Sequence, residues 1–263
     1  PHPIDLRHLD RMWRLGKEAL DILRYWIRLE DDNPGEQYLT AVEGFVGQGL
    51  AKEDLEILRD VCTLQMQAGW YKAGVPIARL SYNAHEKLLD PDHEDTLISV
   101  NNLGLLLSNM GDYEGAEPLH RRDLETSERT LGPDHEDTLA SKQNFGVFLR
   151  ERGRPEEAIP LLEEILATRR QRAKGEPTAK LSSTLTALGT TLGASGQHDE
   201  AIGHLAESAE MRRRLVDAGD KNLETPLAST LKRLADVYEQ VGKEKQAAQA
   251  RAESRALEGE ENA

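Results

Sequence analysis

Leu89-Asp90-Pro91-Asp92-His93-Glu94-Asp95-Thr96-Leu97 returns 42 residues later as Leu131-Gly132-Pro133-Asp134-His135-Glu136-Asp137-Thr138-Leu139. Each Pro ends the helix before it, and Asp92 or Asp134 is placed to cap the next one through its carboxylate. Glu94, Asp95, Glu136 and Asp137 then fall in a first turn, where negative charge suits the helix dipole. Leu97, Val100, Leu103 and Leu107 follow at helical spacing, which predicts a first helix over about 94–110. Gly111 and Gly153 stand where a left-handed residue closes such a helix. A second helix is expected from about 113 to 130, carrying Ala116, Leu119 and Leu124.

The same punctuation extends in both directions. Gly69, Gly111, Gly153, Gly196 and Gly242 are spaced by 42, 42, 43 and 46 residues. Eight residues before each stands an apolar or small pair: Val61-Cys62, Leu103-Gly104, Phe145-Gly146, Leu188-Gly189 and Leu234-Ala235. Five residues after each stands a small residue: Gly74, Ala116, Ala158, Ala201 and Ala247. A fixed period of this length means a stacked array, because two helices cannot bury their own apolar faces. The expected fold is all-α, a right-handed superhelical solenoid of antiparallel helix pairs. Five pairs fill residues 51–257, and Ala218 to Asn222 stretches the connection before the last one. Residues 1–50 fit the period poorly. They read as one long helix from Leu6 to Leu29 with Trp13 and Trp26, a turn, and a short helix. That segment is an N-terminal helical cap or a divergent repeat. Residues 258–263 form an acidic tail.

Composition narrows the function. The 263 residues are 5% aromatic and 30% charged, which suits a thin array with much surface. A net charge of −14 argues against nucleic acid or an anionic membrane as partner, and fits a basic protein. Cys62 is the single cysteine, so no intrachain disulfide forms. It occupies the small slot held elsewhere by Gly104, Gly146, Gly189 and Ala235, and is expected to be a buried, unreactive thiol. No apolar run reaches the length of a membrane span and no secretory segment is present, so a cytoplasmic location is expected.

No catalytic, cofactor or metal set emerges, and the chain reads as a non-enzyme. His93 and His135 with their flanking carboxylates come nearest to a metal site. Neighbouring residues on a first turn diverge, however, and the pattern repeats with the fold, so helix capping accounts for it. His85-Glu86-Lys87-Leu88-Leu89 lacks the second His of a zinc helix. Gly193-Ala194-Ser195-Gly196 lies at a helix end rather than after a strand. Arg121-Arg122, Arg169-Arg170 with Arg172, and Arg212-Arg213-Arg214 recur near the ends of second helices, where cations complement the dipole.

These residues resemble tetratricopeptide repeats of the kinesin light chain type. The resemblance is carried by Pro91-Asp92-His93, Asn101-Asn102-Leu103-Gly104, Gly111-Asp112-Tyr113 and Ala116-Glu117-Pro118-Leu119. The next copy supplies Pro133-Asp134-His135, Asn144-Phe145-Gly146 and Ala158-Ile159-Pro160-Leu161. It implies first helices that line a concave groove for an extended peptide, with the second Asn of Asn-Asn-Leu bonding the peptide backbone. Carried over by position, the groove residues are Asn102 and Asn144, with Arg233 in the last copy. Arg59, Asn101, Gln143 and Lys232 stand one residue earlier. The Lys, Asn and Arg set that clamps a terminal carboxylate in chaperone-binding members is not reproduced. The slot usually filled by Ala late in the second helix holds Asp123, expected half exposed or paired with an Arg. The resemblance implies a protein-interaction scaffold with a protein or peptide partner. The alternative is a regulatory arm of a larger signalling enzyme (a nucleotide-switching ATPase, a kinase or a caspase-like protease), favoured by a chain that opens at Pro1 rather than Met.

Overall fold

Glycine at a positive φ recurs in the turn of each hairpin from Glu94 onward. The computed structural model describes residues 54–67 and 71–259. In order these form α1 (Asp54–Gln67), α2 (Tyr71–Leu88), α3 (Glu94–Asn109), α4 (Tyr113–Leu131), α5 (Glu136–Glu151) and α6 (Pro155–Ala173). After them come α7 (Ala179–Ala194), α8 (His198–Asp217), a short 3₁₀ turn (Lys221–Leu223), α9 (Glu224–Gln240) and α10 (Glu244–Leu257). The cap expected over residues 1–50 lies outside the described residues, as does most of the acidic tail. The chain divides into two compact units, Pro1–Pro133 and Asp134–Ala263. Among the described residues each is all-helical, with consecutive helices packed as hairpins.

The turns show why the period is so regular. Gly111, Gly153, Gly196 and Gly242 have φ of 77°, 71°, 83° and 72°, a conformation that a Cβ resists. The residue after each then donates its N–H back to a helical carbonyl: Asp112 to Leu107, Arg154 to Leu149 and Gln197 to Leu192, each at 2.9 Å, and Lys243 to Tyr238 at 2.8 Å. These bonds satisfy carbonyls that the helix end would leave bare. The longer spacing before the last pair is taken up by the 3₁₀ turn, which buries Leu223.

The caps differ from expectation. His93 and His135, not Asp92 and Asp134, cap α3 and α5: their Nδ1 atoms accept from Asp95 N at 3.2 Å and Asp137 N at 3.3 Å. A ring nitrogen on the cap residue reaches the first-turn amide two residues on as a carboxylate would. Asp92 instead pairs with Arg129 of α4 at 2.7 Å, tying the loop to the second helix.

Helices of a hairpin meet where the side chain is smallest. A Cβ at Gly104 would stand 3.3 Å from His120 Cε1, at Gly146 3.2 Å from Leu162 Cγ, and at Gly189 2.8 Å from Leu205 Cγ. Cys62, in the equivalent slot, is buried as expected, and burial pushes its thiol up to about 12. Asp123 is 3% exposed, so the half-exposed placement expected for it is wrong. The last hairpin closes on Ala209, Leu227, Leu231, Ala235, Ala247 and Ala250. Alanines there let the helices approach closely.

Candidate functional site

Within each unit the first helices of successive pairs meet one another directly, α1 with α3, α5 with α7, and α7 with α9. The second helices pack mainly on the first helices to either side. Within each unit the first helices therefore form a layer, and their outward faces are the surface on which groove residues were expected.

In the unit from Pro1 to Pro133, Arg59 of α1 donates to Asp95 Oδ1 of α3 at 2.7 Å. The side chain links two first helices. Asn101 is half-buried and Asn102 is 9% exposed, both on α3. The second helix contributes Arg122, which holds Glu86 at 2.6 Å and Tyr82 Oη at 2.7 Å on α2. Behind α3, His120 lies against Gly104 with Nε2 3.0 Å from Ser108 Oγ. Burial holds that imidazole down at about 4, so it is neutral at pH 7.

The unit from Asp134 onward is organised by arginines of second helices that reach inward. Arg169 of α6 is 7% exposed. Its Nη2 donates to Glu136 Oε1 at 2.7 Å; its Nη1 donates to Thr184 Oγ1 at 2.6 Å, Gln143 Oε1 at 2.8 Å and Lys180 O at 3.2 Å. Arg172 and Lys180 also lie 3.4 Å from Glu136, so that carboxylate is shared by three cations. Gln143 donates in turn to Ser183 Oγ at 3.1 Å. The network fastens α5 and α6 to α7. Gln143, expected in the groove, is spent largely on this joint.

One repeat later Arg212 of α8 makes the corresponding crossing. Its Nη1 donates to Pro226 O at 2.6 Å and to Thr230 Oγ1 of α9, and its Nε to Ser182 Oγ of α7 at 3.2 Å. Thr186 bonds Ser208 at 2.8 Å and Thr230 at 3.2 Å, closing a run of hydroxyls beneath the guanidinium. Burial, and then the charge of Arg233, bring Arg212 down to about 10, which leaves it cationic at pH 7. Arg150 of α5 is lowered by burial first and in part by the same Arg233.

Of the expected residues in this unit, Asn144 is half-buried on α5, while Lys232 and Arg233 are exposed on α9. Lys232 reaches Glu258 at 2.7 Å. Arg233 thus adds positive potential at both Arg150 and Arg212, while Arg150 also pairs with Glu151 at 3.1 Å. Arg169 and Arg212 had been read as dipole partners at helix ends; they are instead buried joints between helices. A signal existed in the sequence: Thr184 and Thr230 both stand 12 residues before their repeat Gly, one opposite each buried Arg. Among the described residues, no group of three or more His, Cys, Asp or Glu side chains converges on a point that could hold a metal, and no helix is long and apolar enough to cross a membrane.

Comparison with known proteins agrees with the hairpin geometry. The tetratricopeptide repeat family model matches residues 98–171 and 144–214. No curated protein matches the chain. Among solved structures, a kinesin light chain of Podospora anserina with nearly identical TPR-like repeats is 21% identical, with a TM-score of 0.60 over 78% of this chain and 95% of that one. BtubC (BKLC) from P. vanneervenii is 18% identical, with a TM-score of 0.64 over 95% and 91%. A Rap protein complexed with Competence and Sporulation Factor is 11% identical, with a TM-score of 0.68 over 97% of this chain and 77% of its own. At these identities the likeness is one of fold.

Proposed function

Because the chain is a tetratricopeptide-repeat protein with the fold of kinesin light chain-like members, we propose that it is a non-catalytic scaffold whose first-helix faces bind an extended segment of a protein partner. The observation that carries this reading is the surface of the unit from Asp134 onward. There a half-buried amide, Asn144, and an exposed cation, Arg233, stand on α5 and α9, the two first helices that flank α7. An amide at that depth is suited to bonding an extended backbone, and a few desolvated anchors suffice for affinity. The solved Rap protein of similar fold is itself in complex with a binding partner, the Competence and Sporulation Factor. In the unit from Pro1 to Pro133, Asn101 and Asn102 take the corresponding role on α3.

The test needs a partner first, found by affinity purification with the intact chain and confirmed with purified components. Asn144→Ala is then expected to weaken the complex by about 1–3 kcal/mol, because a bound backbone group loses its hydrogen bond. The melting temperature should stay put. Undiminished affinity, with the partner still protecting α5 and α7 from hydrogen exchange, would refute the role of Asn144.

A further inference from the structure

Arg169 and Arg212 each stand 16 residues after a repeat Gly, Gly153 and Gly196. Both are 7% exposed. Both reach the next first helix through the same pair of acceptors, a first-turn carbonyl (Lys180 O or Pro226 O) and a Thr hydroxyl (Thr184 or Thr230). They differ in one respect. Arg169 Nη2 meets the carboxylate of Glu136, whereas the residue 17 before Gly196, the place of Glu136 in the next repeat, is Ala179. Among the described residues no Asp or Glu lies within ion-pair distance of Arg212, and its Nη2 has no hydrogen-bond partner. That nitrogen is not sealed from solvent.

We propose that Arg212 is a carboxylate-binding site, and that an Asp or Glu side chain of the partner segment takes there the place that Glu136 takes beside Arg169. The inference rests on the scaffold reading and adds the chemistry of one anchor. Ala179 is exposed, and its carbonyl accepts from Ser182 Oγ at 2.9 Å, while Ser182 Oγ accepts from Arg212 Nε at 3.2 Å. The position left without a carboxylate is thus one hydrogen-bonded link from the guanidinium. A largely buried cation with only neutral oxygens around it is poorly compensated, and Arg233 adds to the positive potential. A ligand carboxylate relieves both. The sister site shows which anion the geometry accepts, since Arg169 is met by a carboxylate. The net charge of −14 therefore misleads about the partner: at this anchor the chain selects an acidic residue, not a basic one.

The experiment uses the intact chain and two five-residue peptides of Gly and Ser. One carries a central Asp and blocked ends; the other lacks the Asp and keeps a free C-terminal carboxylate. Saturable NMR shifts of the Arg212 Nε–H and the amides of residues 179–182 are expected with the Asp peptide only. Ala179→Glu should supply the missing carboxylate internally, raising the melting temperature and lowering affinity for the peptide at least tenfold. Ala179→Gln, similar in size but uncharged, should keep the binding. No saturable shift in the unmodified chain, or equal binding by Ala179→Glu, would overturn the proposal. Equal loss in Ala179→Gln, or shifts from the free-terminus peptide alone, would do the same. If a full partner binds Ala179→Glu normally yet fails on Asn144→Ala, this anchor is refuted and the scaffold reading stands.

Discussion

Of the helical glycines in the unit from Asp134 onward, Gly189 leaves the least room for a Cβ, and its replacement by Ala tests how the hairpins close. The added Cβ would lie 2.8 Å from Leu205 Cγ, 3.1 Å from Ala201 O and 3.2 Å from Leu205 N. None of these atoms is the free end of a side chain, so α7 and α8 must separate. Ala in place of a helical Gly would gain about 0.5–1 kcal/mol from propensity alone. Overpacking a filled contact costs about 1–3 kcal/mol, so the net change should be a loss of about 1–2 kcal/mol. At roughly 2–4 °C per kcal/mol for a chain of this size, the melting temperature should fall by several degrees. Gly203 provides the opposite case on α8: it is exposed, and a Cβ there meets nothing within 4 Å. Gly203→Ala should therefore stabilise by about 0.5–1 kcal/mol. Urea and thermal unfolding followed by circular dichroism measure both. A Gly189→Ala variant as stable as the unmodified chain, or more so, would show that α7 and α8 do not meet at this residue.

Other perturbations have signs set by the same geometry. Glu136→Gln removes the carboxylate shared by Arg169, Arg172 and Lys180; because Glu136 is partly exposed, a loss of about 2 kcal/mol in urea unfolding is expected, below the range for a fully buried pair. His120 is held at about 4 in the fold against 6.5 as its ordinary value, so the unfolded chain binds the proton more tightly. Stability present above pH 6.5 should then be lost as pH falls toward 4, by about 3 kcal/mol, and His120→Gln should flatten that part of the profile. The buried Cys62 thiol, pushed up to about 12, should resist alkylation in the folded chain and react only at the rate of unfolding; fast labelling under native conditions would contradict its placement.

The hairpins were legible in the sequence because their requirements are local. A left-handed Gly and a small residue at each close contact leave marks at fixed spacing, and α3 and α4 begin and end within about one residue of expectation. The capping residue was misplaced by one, since His with a suitable Nδ1 does what Asp does, and propensity alone favours Asp. The candidate site was less legible. Whether Arg59 or Gln143 reaches outward or is spent on a neighbouring helix depends on partners 36 and 40 residues away, Asp95 and Ser183. Arg169 and Arg212 looked like surface cations because burial of a guanidinium leaves no periodic signature. Their acceptors, Thr184 and Thr230, repeat in step with them. Asp123 is the remaining irregularity, a buried carboxylate in a slot that the other repeats fill with Ser or Ile.

Site-specific photocrosslinking asks most directly whether first-helix faces are where a partner lies. A photoreactive phenylalanine analogue is placed at Thr190, half-buried on α7, and separately at Glu210, exposed on the second helix α8. After irradiation with the confirmed partner, mass spectrometry locates the adducts. The expected result is a crosslink from position 190 to one continuous segment of the partner, lost in the Asn144→Ala variant, with none from position 210. Crosslinks from position 210 and none from 190 would contradict binding on the first-helix face.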